Sequence, residues 1–287
     1  MKYIEPLFRP PAEADSLIFQ AAYGCPHNTC RFCGMYKTVK YRVRDRNELM
    51  LEIAGAGRKY PETQRIFLAD GDVMIFPFAE LREILIELNR HFPSLSRVNI
   101  YANGSSIIAK TPEELQELRR LKLNTLYVGL ESGDQEILAL VNKQETVLNM
   151  ISGVKLAQAC GLKCSVMILL GLGGRQYSAS HSVKTAETLN AMQPRLLSAL
   201  RFIEVPGCFM YDAYQTVTEY GAVGELKEII SSLELHKTVF RANHTSNPAP
   251  LAGRFPNDKQ QLIAELDYLL AGRTLDREGP GRRPFFL

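Results

Sequence analysis

The chain has 287 residues, 46% of them hydrophobic and 23% charged, with a formal net charge of +3. That composition excludes disordered and membrane-spanning classes and describes a globular protein with a substantial core, while so small a charge gives no ground for a nucleic-acid partner. The first residues lack the apolar run of a signal peptide and no stretch approaches the ~20 apolar residues of a spanning helix, so a cytoplasmic protein with reduced thiols and no membrane attachment is expected.

In chain order, the first predicted element is an apolar strand over residues 17–23, and Gly24 then opens a loop. The loop reads Cys25-Pro-His-Asn-Thr-Cys30-Arg-Phe-Cys33, three cysteines in nine residues, and residues 34 to 159 contain no fourth. A cubane iron–sulfur cluster takes one thiolate per iron, so three cysteines leave one iron open to a further ligand. Two alternatives stand beside this reading. Cys-x4-Cys-x2-Cys also begins the plant-type two-iron ferredoxin pattern, which then needs another cysteine a few dozen residues downstream. A zinc site needs a fourth Cys or His, which His27 would supply unless it simply faces solvent.

Beyond the loop, apolar runs at 65–69, 97–101, 125–130, 163–170 and 197–205 alternate with helical patterns, the arrangement of parallel strands joined by crossover helices. Phe78, Leu81, Leu85 and Leu88 recur at helical spacing after Pro77. Thr111-Pro-Glu-Glu114 is a capping box with proline at the first helical position. Val147, Ile151 and Val154 mark another helix, with Gly161 suited to its C-terminal end, and a further helix is predicted over 178–192. After Pro206 the character changes: helices are predicted over 219–235 and 258–271, separated by a Pro- and Asn-rich connection over 241–250.

The cysteine loop with its flanks, Ser16-Leu-Ile-Phe-Gln-Ala-Ala-Tyr23-Gly24 before it and Phe32-Cys33-Gly-Met-Tyr36 closing it, resembles the cluster loop of the radical S-adenosylmethionine (radical SAM) superfamily. The usual spacing there is Cys-x3-Cys-x2-Cys, so the first gap here is one residue longer. The resemblance implies an α/β fold, a partial (β/α)6 TIM-type barrel over residues 1–206, with a mainly helical C-terminal extension over 207–287 covering the barrel and its substrate side. It implies a [4Fe-4S] cluster on Cys25, Cys30 and Cys33, with S-adenosyl-L-methionine (SAM) at the open iron.

The implied cofactor-binding residues lie after the strands, where ligands of parallel α/β folds sit. Phe32 and Tyr36 flank the last cysteine. Asp70-Gly71-Asp72 stands where the family has a Gly-Gly-Glu turn, so Gly71 and Asp72 are candidates for the methionine amino group, with a plain acidic turn as the alternative. Asn103 either bonds the cofactor or fixes its own turn. In Tyr127-Val-Gly-Leu-Glu131-Ser-Gly-Asp134, Glu131 matches the residue that oxygen-independent coproporphyrinogen dehydrogenases and their relatives place on the SAM ribose. Lys143 matches those families' cation for the methionine carboxylate, or is an ordinary surface lysine. Gly171 opens the glycine string at the adenine wall, and Arg175 behind it is a substrate contact or a solvent-exposed residue.

Cys160, Cys164 and Cys208 are too scattered for an auxiliary cluster and read as core cysteines, with a role for Cys208 in radical chemistry left open. The expected function is reductive cleavage of SAM to a 5′-deoxyadenosyl radical that takes hydrogen from a small-molecule or tetrapyrrole-like substrate in an oxidoreductase reaction. A flavodoxin- or ferredoxin-type protein is the expected electron donor. The competing class is a non-catalytic electron-transfer or haem-carrier protein on the same fold, with His236, His244 and Cys208 as the possible axial ligands.

Overall fold

The computed structural model describes residues 3–283. The chain divides into two compact units: unit 1 runs to Asn28 and adds Met35–Val128 and Ser152–Cys164, and unit 2 comprises Thr29–Gly34, Gly129–Ile151 and the residues from Ser165 on.

Unit 1 begins with a short 3-10 turn, Pro11–Glu13, before β1 (Leu17–Gln20). β2 (Ala22–Tyr23) and β3 (Arg42–Val43) pair antiparallel on either side of the cysteine loop. The first strand is thus shorter than expected: it ends at Gln20, whose amide bonds the backbone of Ile4 and Asp70 Oδ2, and the next residues turn into the hairpin. Then follow α1 (Arg46–Lys59), β4 (Arg65–Ala69), α2 (Phe78–His91), β5 (Arg97–Ala102), α3 (Gly104–Ile108), α4 (Pro112–Arg120) and β6 (Leu123–Glu131). β1 pairs with β4, β4 with β5 and β5 with β6, all parallel.

The physical reasons are local. β4 reads Arg-Ile-Phe-Leu-Ala with its last four residues buried, as a parallel strand covered on both faces requires. α2 buries Leu81, Ile84, Leu85 and Leu88, one stripe at helical spacing. Phe67, Tyr101 and Tyr127, from three adjacent strands, meet edge to face with centroids 5.2 to 6.1 Å apart. The buried Glu13 accepts hydrogen bonds from Asn99, Tyr127 and Ser16, tying the leading segment to β5 and β6.

α5 (Gln135–Leu140) and α6 (Val147–Ala159) lead to β7 (Lys163–Leu170), α7 (Gly174–Met192), β8 (Leu196–Arg201), α8 (Glu219–Ser232), β9 (Thr238–Ala242), β10 (Leu251–Phe255) and α9 (Lys259–Ala271). In unit 2, β7, β8 and β9 run parallel and β10 returns antiparallel to β9. α7 packs on α8, and α8 on α9. All six expected parallel strands are present, as β1, β4, β5, β6, β7 and β8. The C-terminal region remains mainly helical but adds β9 and β10, the first overlapping the expected connection, and α7 starts four residues before the expected helix. Among the described residues no helix is long and apolar enough to cross a membrane.

Candidate functional site

Cys25 follows the left-handed Gly24, and the turn after β4 packs against it. Gly71 N–H donates to the Gly24 carbonyl at 3.0 Å, and a Cβ at Gly71 would stand 2.6 Å from both Cβ and Sγ of Cys25. Gly71 is therefore required by the cysteine itself. His27 is partly exposed and paired with a carboxylate: its Nε2 lies 2.6 Å from Asp72 Oδ2, while Asp72 Oδ1 accepts from Ser106 Oγ at 2.7 Å. Asn28 donates to the Tyr36 carbonyl at 2.6 Å and Lys37 to the Asn28 carbonyl at 2.9 Å, closing the loop on itself.

In unit 2 the segment carrying Cys30 and Cys33 is held by its backbone. Arg31 N–H donates to Val141 O at 2.8 Å, Asn142 to Thr29 O at 3.1 Å, and Phe209 N–H to Arg31 O at 2.9 Å. The Cys208 thiol donates to Phe32 O at 2.9 Å, and the Phe32 ring packs with Ile137, Val141, Leu172 and Phe202. Cys25, Cys30 and Cys33 are half-buried and none of the six cysteines forms a disulfide. Among the described residues no three Cys, His, Asp or Glu side chains gather about one point as a single ion would need. A cubane presents a different iron to each thiolate, so thiols free of disulfides, Cys25 in unit 1 and Cys30 and Cys33 in unit 2, suit that group by their chemistry.

Asp70 and Asp72 both have positive φ, 74° and 46°, so strained backbone brackets Gly71. Asp70 is fully buried; its Oδ2 accepts from Gln20 at 2.9 Å and its Oδ1 has no hydrogen-bond partner. Burial pushes its carboxyl up to about 6, against the lowering influence of Gln20 and Tyr36. The Tyr36 phenol is pushed well above its ordinary range, chiefly by burial and then by Asp70. Asn103 follows β5 as the N-cap of α3 and fixes its own turn, its N–H donating to Ser106 Oγ at 3.0 Å.

Glu131 is the last residue of β6, with φ of 63°. Its side chain folds back over Gly129, where a Cβ would lie 2.0 Å from Oε1. Lys143 Nζ stands 3.6 Å from that carboxylate, each side chain 12% exposed. Burial raises the Glu131 pKa and Lys143 opposes it. The two residues expected to meet different ends of SAM thus face each other here. Gly171, φ 81°, is tied through both backbone groups: N–H to Glu225 Oε1 at 2.6 Å, and carbonyl to the Tyr214 hydroxyl at 3.0 Å.

The remaining candidates lie elsewhere in their units. Cys164 is buried, its thiol pushed up to about 12 by desolvation, and Cys160 donates to Pro112 O at 3.6 Å; both are core residues. Arg175 bonds the carbonyls of Thr216 and Glu278. His244 Nδ1 is engaged by Ser246. Ser106 and Glu225 were not anticipated. A serine three residues after Asn103 is a faint capping signal, whereas nothing in the sequence around Glu225 marks it.

The family model of the radical SAM superfamily matches residues 20–176, more than half of the chain. The chain belongs to that superfamily, whose enzymes use a [4Fe-4S] cluster and SAM. Comparison with curated proteins found no match. Among solved structures it is similar to coproporphyrinogen III oxidase (HemN) from Escherichia coli, with a TM-score of 0.59 and 18% identity over 75% of this chain and 51% of that one. It is similar to the FeFe-hydrogenase maturase HydG from Carboxydothermus hydrogenoformans, with a TM-score of 0.52 and 17% identity over 87% of this chain and 56% of the other. Methylornithine synthase (PylB) gives a TM-score of 0.53 and 12% identity over 93% of this chain and 83% of that one. At such identities the likeness shows the shared partial-barrel fold. The chain spans about half the length of the first two of these proteins.

Proposed function

We propose that the chain is a radical SAM enzyme in which Cys25, Cys30 and Cys33 hold the cluster and SAM is cleaved reductively. Held by those cysteines, the cluster would supply one-electron reduction of the SAM sulfonium, the chemistry that would yield methionine and a 5′-deoxyadenosyl radical able to take hydrogen from a substrate. The chain's own residues bind and orient. Gly71 leaves Cys25 its place, and Asp72, fixed by His27 and Ser106, offers its turn to the methionine amino group. Glu131 accepts from the ribose hydroxyls, Lys143 meets the methionine carboxylate, and Asn103, Tyr36, Phe32 and Gly171 complete the contacts. For SAM to bind, the Glu131–Lys143 pair must exchange its mutual contact for the ligand's opposite charges and donors.

Residues 1–206 form the catalytic barrel in this reading and 207–287 the extension; the enzyme works in the cytoplasm with a flavodoxin- or ferredoxin-type donor. The likeness to HemN, a coproporphyrinogen III oxidase, supports a tetrapyrrole-like substrate and an oxidoreductase outcome. The observation that carries the proposal is the three-cysteine loop lying inside the matched superfamily span. Cys30→Ala tests it: anaerobic reconstitution of the variant should leave it without a cluster, and a full complement of iron would refute the three-ligand assignment.

A further inference from the structure

Glu225 sits in the middle of α8 with a side chain that has no exposed surface, and it accepts hydrogen bonds from outside its own helix. Gly171 N–H donates to Oε1 and Ser178 Oγ to Oε2, each at 2.6 Å. His181 of α7, also without exposed surface, places Nε2 3.4 Å from Glu225 Oε1, within electrostatic reach of the carboxylate but without a hydrogen bond of its own. Its Nδ1 lies 2.8 Å from Ser132 Oγ and 3.3 Å from Thr185 Oγ1. Those two hydroxyls already accept backbone N–H groups, Ser132 from Asp134 at 3.0 Å and Thr185 from Gly133 at 2.9 Å. Each keeps its own proton, and with one of them donated to Nδ1 the ring hydrogen lies on Nε2, facing the carboxylate.

The network runs from Ser132, the residue after Glu131, through His181 and Glu225 to the amide of Gly171. It joins the turns that follow β6 and β7, and it lies wholly inside unit 2. As a source of stability it is a poor choice, since well-packed apolar side chains commonly replace buried polar or ionic partners without loss. What apolar side chains cannot do is accept the Gly171 N–H or hold the Ser132–Asp134 turn by directed bonds.

We propose that Glu225 and His181 are positioning residues for SAM, holding the turn after β6 and the turn after β7 through one buried polar network so that Glu131 and Gly171 keep the geometry the cofactor requires. This rests on the reading of Glu131 and Gly171 as SAM contacts. The support residues act through those two and touch no reacting atom.

The test is equilibrium binding of SAM to the anaerobically reconstituted protein, with iron content and unfolding midpoint measured for every variant. Glu225→Ala and His181→Leu should weaken SAM binding by about tenfold or more while iron content stays at the wild-type level. Glu225→Gln, which keeps an acceptor for the Gly171 N–H, should recover most of the affinity even if its unfolding midpoint is lowered. Ser132→Ala removes one hydroxyl from the network and should weaken binding in the same direction, so it decides the matter if Glu225→Ala does not fold. Glu131→Ala is the reference and should lose SAM affinity outright. Wild-type affinity in the Glu225, His181 and Ser132 variants, with Glu131→Ala impaired, would overturn the positioning role and leave the SAM-site reading standing. Wild-type affinity in Glu131→Ala would remove that reading and this inference together.

Discussion

Asp70 carries one carboxylate oxygen bonded to Gln20 and the other without a partner, in surroundings that raise its pKa from 3.8 to about 6. The folded state therefore binds a proton more tightly than the unfolded chain. Stability from this group is fully present below about pH 4 and is lost as pH rises through about 6, on the order of 3 kcal/mol for a shift of about two pH units. Urea denaturation of the cluster-free protein should show that decline, and Asp70→Asn should flatten it; an unchanged slope in the variant would assign the pH dependence elsewhere. One residue on, Gly71→Ala would drive a methyl group to 2.6 Å from Cys25 Sγ. The backbone on both sides is pinned, so the cysteine must move, and iron incorporation should fall severalfold with little change in secondary structure by circular dichroism. Neither effect is visible in the sequence, where Asp70-Gly71-Asp72 shows only an acidic turn with a glycine; the burial and the contact arise from the loop folding onto β4.

At the scale of elements, the sequence was most informative where one physical rule dominated. β4 and β7 match their apolar runs to the residue because each is a mainly apolar run led by one basic residue, Arg65 and Lys163, and is mostly buried, as a parallel strand covered on both faces requires. α4 is legible through its capping box: Thr111 Oγ1 accepts the Glu114 N–H at 3.2 Å and Glu114 Oε2 accepts the Thr111 N–H at 2.9 Å. Thr111→Ala should lower stability by about 1 kcal/mol in chemical denaturation while SAM cleavage stays at the wild-type rate. α1 was not anticipated, since its buried Leu49, Ile53, Ala56 and Gly57 are interleaved with an exposed Leu51 and weak helix formers. β9 and β10 were missed because each has five residues of alternating burial and gains its stability from pairing rather than composition.

For the molecule as a whole, the cysteine loop with its flanks carried the resemblance to the superfamily, with which the family match agrees, and the alternation of strands and helices carried the α/β architecture, with which the solved structures agree. The site was legible in part. The residues after the strands could be named from their position, but the mutual pairing of Glu131 with Lys143, the grip of Asp72 on His27 and the buried carboxylate of Glu225 depend on contacts between residues 12 to 54 positions apart. The substrate depends on the same kind of contact and is the least legible feature. The central claim is that this chain cleaves SAM reductively at a cluster on three cysteines. The most direct test is to reconstitute the protein anaerobically, reduce it with dithionite, add SAM and separate the products by chromatography. The account predicts 5′-deoxyadenosine from the wild-type protein and none from Cys30→Ala; a wild-type protein loaded with four irons per chain that leaves SAM intact would contradict it.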